Sequence, residues 1–180
     1  MKQLLNQTEL RQLREIEILF NEKSWMKIST LSEMLDCSVR VLKDDIAHFR
    51  NNWEEFSIDT SNNGVRLVMH NNTGLKTIYQ RFLAQSISFN LLETIFFNTQ
   101  LSISDLAEAL YVSTSTVYRT IEQINAHLLD YQFQIETNPC RVEGSEDEIR
   151  YFFYNYFHEK YSNLQWSFYP IEEATLNQFL

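Results

Sequence analysis

Residues 28–49, ISTLSEMLDCSVRVLKDDIAHF, recur 75 positions downstream (103 − 28) as residues 103–124, ISDLAEALYVSTSTVYRTIEQI. A chain of 180 residues could bury one large core or two or three small ones, and a duplicated unit favours several small ones, so two modules plus a remainder are expected. Ile28, Ser29, Leu31, Glu33, Leu35, Ser38 and Ile46 meet Ile103, Ser104, Leu106, Glu108, Leu110, Ser113 and Ile121. Most of these are positions that a short helix, a turn and a second capped helix would bury or use as caps. That is a helix-turn-helix pattern, and it points first to DNA binding.

Around the first copy, Thr8 is expected to cap a helix reaching about Asn21, with Leu10, Leu13, Ile16, Leu19 and Phe20 on one face. Ser24 to Lys27 reads as a short strand, and Ser29 or Thr30 as the start of a helix buried through Leu31, Met34 and Leu35. Asp36 and Cys37 form the turn, and Ser38 caps a helix whose Leu42, Ile46 and Phe49 face inward. Phe56, Ile58, Val65, Leu67 and Met69 then flank Asn62-Asn63-Gly64, a hairpin signal with a residue suited to positive φ. Helix, helix, turn, helix and hairpin make the winged form of the motif, spanning residues 1–70.

A polar joint from His70 to Gly74 leads into helical spacing from Leu75 to about Gln85, a connecting helix within residues 71–88. The second unit, residues 89–144, opens at Asn90 to Asn98, where Leu91, Leu92, Ile95, Phe96 and Phe97 repeat the role of the first helix. Ser104 to Leu110 and Ser113 to Leu128 repeat the second and third. Phe133, Ile135, Cys140 and Val142 flank a second hairpin at Thr137-Asn138-Pro139, with Pro139 where Gly64 stood.

Beyond Gly144, Ser145-Glu146-Asp147-Glu148 is a strong helix start, with acids at the positive end of the helix dipole. Tyr151, Phe152, Phe153, Tyr154, Tyr156 and Phe157 then occupy almost every face, which predicts a helix buried all round. Only the stretch from Pro170 to Leu180 remains to cover it. Residues 145–180 are therefore expected to be the beginning of a further, all-helical domain cut short. The fold class is mainly α: two tandem winged helix-turn-helix domains joined by a helix, followed by the start of that domain.

The net charge of −9 argues against a nucleic-acid partner, because phosphate binding depends on Lys and Arg. The charge is uneven, however. Beyond residue 144, Glu146, Asp147, Glu148, Glu159, Glu172 and Glu173 face only Arg150 and Lys160, which places −4 (2 − 6) of the −9 in the tail. Cys37 and Cys140 give neither a disulfide framework nor a zinc-ligand spacing, and they fit a reducing cytoplasm. No signal peptide or membrane-length apolar run is present in the sequence, so a cytoplasmic location without membrane contact is expected.

In a winged helix-turn-helix the third helix enters the major groove, and its N-terminal outward side chains reach base edges. In the first unit those are Val39, Arg40, Lys43 and Asp44, with Ser38 offering its hydroxyl and the helix N-terminus to phosphate. Asp44 and Asp45 oppose this use, unless they pair with Lys43 or Arg40 or accept from a cytosine amino group. In the second unit the face is Thr114, Ser115, Tyr118, Arg119 and Gln123, opened by the capping Ser113. It is richer in hydroxyls and suits hydrogen-bond readout. Arg66 and Arg141 hold matching places in the hairpins and read as minor-groove or phosphate contacts. The plain alternative for Arg40 and Lys43 is solvated charge, and for Tyr118 packing at a helix edge.

Catalysis finds little support: His48, His70, His127 and His158 are scattered, and with only 3 Gly there is no phosphate loop. Asp44-Asp45 and Glu54-Glu55 are adjacent in sequence and so point apart on a helix, unlike a paired-carboxylate site. No cofactor, metal or small-molecule substrate is expected.

With both units and the stretch ETNPCRVEGSEDEIRYFFYNYFHEKY (residues 136–161) in view, the chain resembles the Mga family of Gram-positive transcriptional regulators, the M-protein trans-acting positive regulators. The most specific part is TNPCRVEGSEDEIRYFFYNYF, whereas LSEMLDCSVRVLKDDI is common to many helix-turn-helix proteins. The resemblance implies a front half that binds double-stranded promoter DNA. It further implies regulatory domains like those targeted by the sugar phosphotransferase system, then a domain resembling a phosphotransferase enzyme IIB, with self-association as a dimer in a longer form. Residues 145–180 match only the first part of the first regulatory domain, and no regulatory role passes to His158. A competing reading makes one or both modules protein-interaction surfaces, which the acidic total favours.

Overall fold

The computed structural model describes residues 1–70, 73–98 and 100–161. Within them the chain is mainly helical, with two small antiparallel sheets of two strands each. The order is α1 (Gln7–Glu22), α2 (Ile28–Met34), α3 (Val39–Asn52), β1 (Phe56–Ser61), β2 (Gly64–Met69) and α4 (Leu75–Gln85). It continues with α5 (Ile87–Phe97), α6 (Ile103–Ala109), α7 (Thr114–Leu128), β3 (Phe133–Thr137), β4 (Cys140–Gly144) and α8 (Glu146–Tyr161). Expectations for Asn71, Asn72 and Pro170 to Leu180 fall outside the described residues.

The first helix begins earlier than Thr8. Asn6 caps it, accepting from the Glu9 amide at 3.0 Å while the Glu9 carboxylate accepts from the Asn6 amide at 2.8 Å. This reciprocal box satisfies two amides that a threonine two residues later would leave open. Leu13, Ile16 and Leu19 are buried as their spacing requires. Likewise α2 starts at Ile28 without a side-chain cap, and its Met34 is 57% exposed rather than buried. In so short a helix only Leu31, midway along, faces the core squarely. The fifth helix starts at Ile87, three residues before the expected Asn90, because Ser86 ends α4 and opens α5 at a single extended residue.

Each hairpin is tied to its helices by one bridge in the same relative place. Met26 and Val65 exchange backbone hydrogen bonds of 2.9 and 2.8 Å, and the Cys140 amide donates to Leu101 at 2.7 Å. Gly64 is required by the first bridge: its φ is 121°, and a Cβ there would lie 1.9 Å from the Met26 carbonyl oxygen. The first hairpin has one more pair at its tip, Ser61 with Gly64. The second closes at Thr137 with Cys140 around Asn138-Pro139, since Pro139 has no amide to offer the ladder.

A continuous apolar core runs through both units and the helices between and after them. The Trp53 ring at the end of α3 lies 4.7 Å from Phe82 of α4, and Arg81 stacks over the same indole. The last helix departs from expectation. Phe152, Phe153 and Tyr156 are buried against Phe133, Phe96 and Phe89, but Tyr151, Tyr154 and His158 face outward. An aromatic residue at every face does not force burial at every face. Here two helices and a hairpin cover one side, and the tyrosine hydroxyls tolerate water on the other. Lys160 is nevertheless buried, paired with Glu93 of α5.

Glu15 lies on the buried face of α1, fully inaccessible, with both carboxylate oxygens lacking a hydrogen-bond partner among the described residues. Burial, with a smaller push from Asp45, raises its pKa from 4.5 to about 8, against the opposing effect of Arg11. The folded value lies above the unfolded one. Its stabilising contribution is therefore complete below pH 4.5 and lost as pH rises through about 8. Glu15→Gln is expected to remove this slope, so its unfolding free energy relative to the natural chain should climb by a few kcal/mol, as an order of magnitude, across that range. Urea titrations at a series of pH values check this, and parallel pH profiles would refute it.

Candidate nucleic-acid interface

The α2 helix is closed by a residue in the left-handed region, and the next helix opens immediately after it. Asp36 has φ 48°, its amide donates to Glu33 at 3.3 Å, and the Cys37 amide donates to Ser32 at 3.1 Å. In the second unit Tyr111 has φ 55°, with the Tyr111 amide donating to Glu108 at 3.2 Å and the Val112 amide to Ala107 at 2.9 Å. Both are Schellman closures, in which two amides beyond the helix satisfy its last carbonyls. Ser38 then accepts from the Val41 amide at 3.3 Å and Ser113 from the Thr116 amide at 3.1 Å, capping α3 and α7.

On α3 the side chains of Arg40, Lys43 and Asp44 are exposed, and Val39 is half-buried. These four stay together at the start of the helix. Asp45 does not join them. It is buried, taking two hydrogen bonds from Arg11 at 2.8 and 3.0 Å and one from Gln12 at 2.7 Å. The expected pairing of Asp45 with Lys43 or Arg40, or with a base, is thus overturned, because this carboxylate locks α3 onto α1. The signal was present in the spacing: 42, 45, 46 and 49 form one helical stripe, so Asp45 shares the inward side with Leu42, Ile46 and Phe49.

On α7 the exposed set is Ser113, Thr114, Ser115, Tyr118, Arg119 and Gln123, gathered on the same relative face as in α3. Ser113 Oγ lies 2.8 Å from both Ser115 Oγ and Thr116 Oγ1, so the helix start is a small hydroxyl cluster. Tyr118 is 55% exposed and does not pack down as an edge residue. Thr120 holds the buried place that Asp45 holds in α3.

The hairpin arginines are not free cations. Arg66 is paired with Asp59 across the strands at 3.0 Å and lies over the Trp25 ring at 4.8 Å. Arg141 binds Glu143 at 2.6 and 3.2 Å. A further pair of residues, unremarked in the sequence, sets each hairpin against its third helix. Arg50 donates to the Ile58 carbonyl at 3.4 Å and to Thr60 at 3.1 Å. In the same relative place Asn125 donates to the Ile135 carbonyl at 2.9 Å and accepts from the Ile135 amide at 2.7 Å. Only their matching offset within the repeat could have drawn attention to them.

Among the described residues no group of three or more His, Cys, Asp or Glu side chains is placed to hold a metal ion. Nor is any described helix long and apolar enough to cross a membrane.

Two family descriptions match the chain: the M protein trans-acting positive regulator (MGA) HTH domain over residues 7–64, and the Mga helix-turn-helix domain over residues 71–157. A Streptococcus pneumoniae protein whose name carries the words trans-acting regulator is 36% identical over all of this chain, which spans 37% of that protein. The capsule synthesis positive regulators AcpB and AcpA of Bacillus anthracis are 23% and 22% identical over 94% of the chain, which spans 36% of each.

The Asn125 side chain replaces ladder partners that the edge of β3 lacks, so removing it leaves a partly buried carbonyl and amide open. Asn125→Ala is expected to lower the unfolding free energy by about 1–3 kcal/mol. A denaturation midpoint equal to that of the natural chain, at equal slope, would show that the contact carries no such weight.

Proposed function

The chain belongs to the Mga family of trans-acting positive regulators, and on that premise we propose that it is a DNA-binding transcription regulator made of two tandem winged helix-turn-helix units. Residues 1–70 and 89–144 form the units, and residues 71–88 join them. Each unit lays its third helix in a major groove of promoter DNA, with Arg40 and Lys43 the principal cations of the first and Arg119 that of the second. Ser38, Val39 and Asp44 complete the first face. Ser113, Thr114, Ser115, Tyr118 and Gln123 complete the second. In a longer form the reading extends to self-association and to a regulatory domain beginning near residue 145.

The observation that carries this proposal is the repetition of the exposed face itself. Two serine-capped helices follow two identical left-handed turns, and each presents outward polar side chains at its start while burying its other side. A capped start with polar residues on the solvent side is the arrangement that delivers side chains to base edges and amides to phosphate. Folding alone asks only for the inward stripe.

One observation favours a second reading, in which a module serves as a protein-interaction surface. Arg66 and Arg141, the cations nearest the hairpin tips, are each held by a carboxylate, and the chain carries a net charge of −9. On the DNA reading these arginines must exchange Asp59 and Glu143 for phosphate.

The two readings separate on salt. Arg40→Ala/Lys43→Ala and, in a second variant, Arg119→Ala are expected to weaken duplex binding about tenfold or more. The double variant should also lower the slope of log affinity against log salt by roughly 2 and the single variant by roughly 1. Anisotropy titrations at several salt concentrations give both quantities, and unchanged affinity in both variants would reject the docking arrangement.

A further inference from the structure

Tyr111 closes α6 through its backbone, but its side chain has no role in that closure. It sits in the left-handed region, at φ 55°, where residues other than Gly and Asn or Asp pay a steric cost. The first unit fills the equivalent turn with Asp36, a type that tolerates this backbone. An aromatic residue could offset the strain by burying its ring, but Tyr111 is 95% exposed, the most exposed large apolar side chain among the described residues. Lys23 and Gln132 take the same backbone conformation at exposed positions, so what sets Tyr111 apart is an aromatic ring left almost wholly in solvent at such a site.

The surroundings of that ring point to its partner. Tyr111 lies two residues before Ser113, at the end of α7 that carries Ser113, Thr114, Ser115, Tyr118 and Arg119, all exposed. From Tyr111 to Ile121 the chain has one Arg and no Asp or Glu, although its total charge is −9. The corresponding stretch of the first unit carries Asp36, Asp44 and the buried Asp45 against Arg40 and Lys43, with Asp36 and Asp44 at the positions of Tyr111 and Arg119. The second turn therefore offers a neutral hydrogen-bond donor where the first offers an anion that a phosphate would repel.

We propose that Tyr111 is a DNA-backbone contact of the second unit, its phenol hydroxyl donating to a phosphate oxygen beside the start of α7. This rests on the DNA-binding reading above and adds a residue in the turn to contacts otherwise drawn from helices and hairpins. Tyrosine is among the neutral side chains that fix register on the backbone without reading sequence.

The test uses the 180-residue chain and a fluorescein-labelled, mixed-sequence duplex about three helical turns long. Tyr111→Asn and Tyr111→Phe are expected to weaken binding by about three- to tenfold, the loss of one neutral hydrogen bond. Because no cation is removed, the salt slope should stay that of the natural chain, unlike the slope of Arg119→Ala. The Tm of Tyr111→Asn should be unchanged or higher, since Asn suits the left-handed turn. Natural affinity in either variant overturns the proposal, including the case in which promoter output falls while DNA affinity holds, which assigns Tyr111 to a protein partner. A lowered Tm in Tyr111→Asn overturns it as well, by making the side chain structural. If the unaltered chain binds no duplex, this proposal and the DNA-binding reading fall together, whereas binding that only Arg119→Ala weakens removes this one alone.

Discussion

Two hydrogen bonds in each unit, from Asp36 and Cys37 back to Glu33 and Ser32 and from Tyr111 and Val112 back to Glu108 and Ala107, fix the direction in which the third helix leaves the second. The helices they close, α2 and α6, have 7 residues each, too few to persist in water without tertiary support. Their last carbonyls would be left open by a gradual exit. The left-handed closure satisfies them in two residues and turns the chain sharply enough for Ser38 or Ser113 to cap the next helix at once. Leu31 and Leu42, and Leu106 and Val117, are thereby brought to a shared core. The outward start of α3 or α7 follows from that geometry.

Much of this was legible in the sequence, because apolar spacing reports which side of a helix is buried. The helix from Leu75 to about Gln85 is readable from its spacing, as is the capping of α3 by Ser38. Periodicity tells which side a polar residue such as Asp45 faces but not which distant partner it meets there. Asp45 lies 34 residues from Arg11, and no local pattern announces their meeting. The same limit hid the pairing of Arg66 with Asp59, which depends on hairpin register. The cap of α1 depends on a different signal: the capping box is set by the residue three positions later, and Glu9 selects Asn6 over Thr8. In α8 aromatic composition does not report burial, because Tyr151 and Tyr154 face solvent while Phe152, Phe153 and Tyr156 face the core.

The repeat is also less symmetrical than its alignment. Its shared residues are mostly those that close turns, cap helices and fill the core, and they secure only that the two units have the same frame. The exposed residues diverge in kind, from Arg40, Lys43 and Asp44 to Ser115, Tyr118 and Arg119. A charged face binds phosphate over a longer range and loses grip quickly as salt rises, whereas a face of hydroxyls discriminates at contact distance and depends less on salt. On the proposed DNA-binding reading, two units with one frame and different chemistry would serve different parts of one docking event, approach for the first and register for the second.

The same divergence continues beneath the surface. In the first unit α3 is held to α1 by Arg11, Gln12 and Asp45, with the unpartnered Glu15 close enough for its ionisation to feel Asp45 and Arg11. In the second, Thr120 replaces Asp45, and the first helix of the unit, α5, buries Phe89, Leu91, Leu92 and Ile95. That apolar surface is extended by α8, whose Tyr156 stacks on Phe89 at 5.2 Å and donates to its carbonyl at 2.7 Å. Behind α7 the buried charge is paired, Lys160 with Glu93, whereas Glu15 behind α3 is a buried carboxylate with no hydrogen-bond partner among the described residues. A rise in pH through about 8 therefore ionises Glu15 and acts on the packing behind α3. Because the two third helices share a frame but not a foundation, conditions that loosen the charged face need not disturb the hydroxyl face.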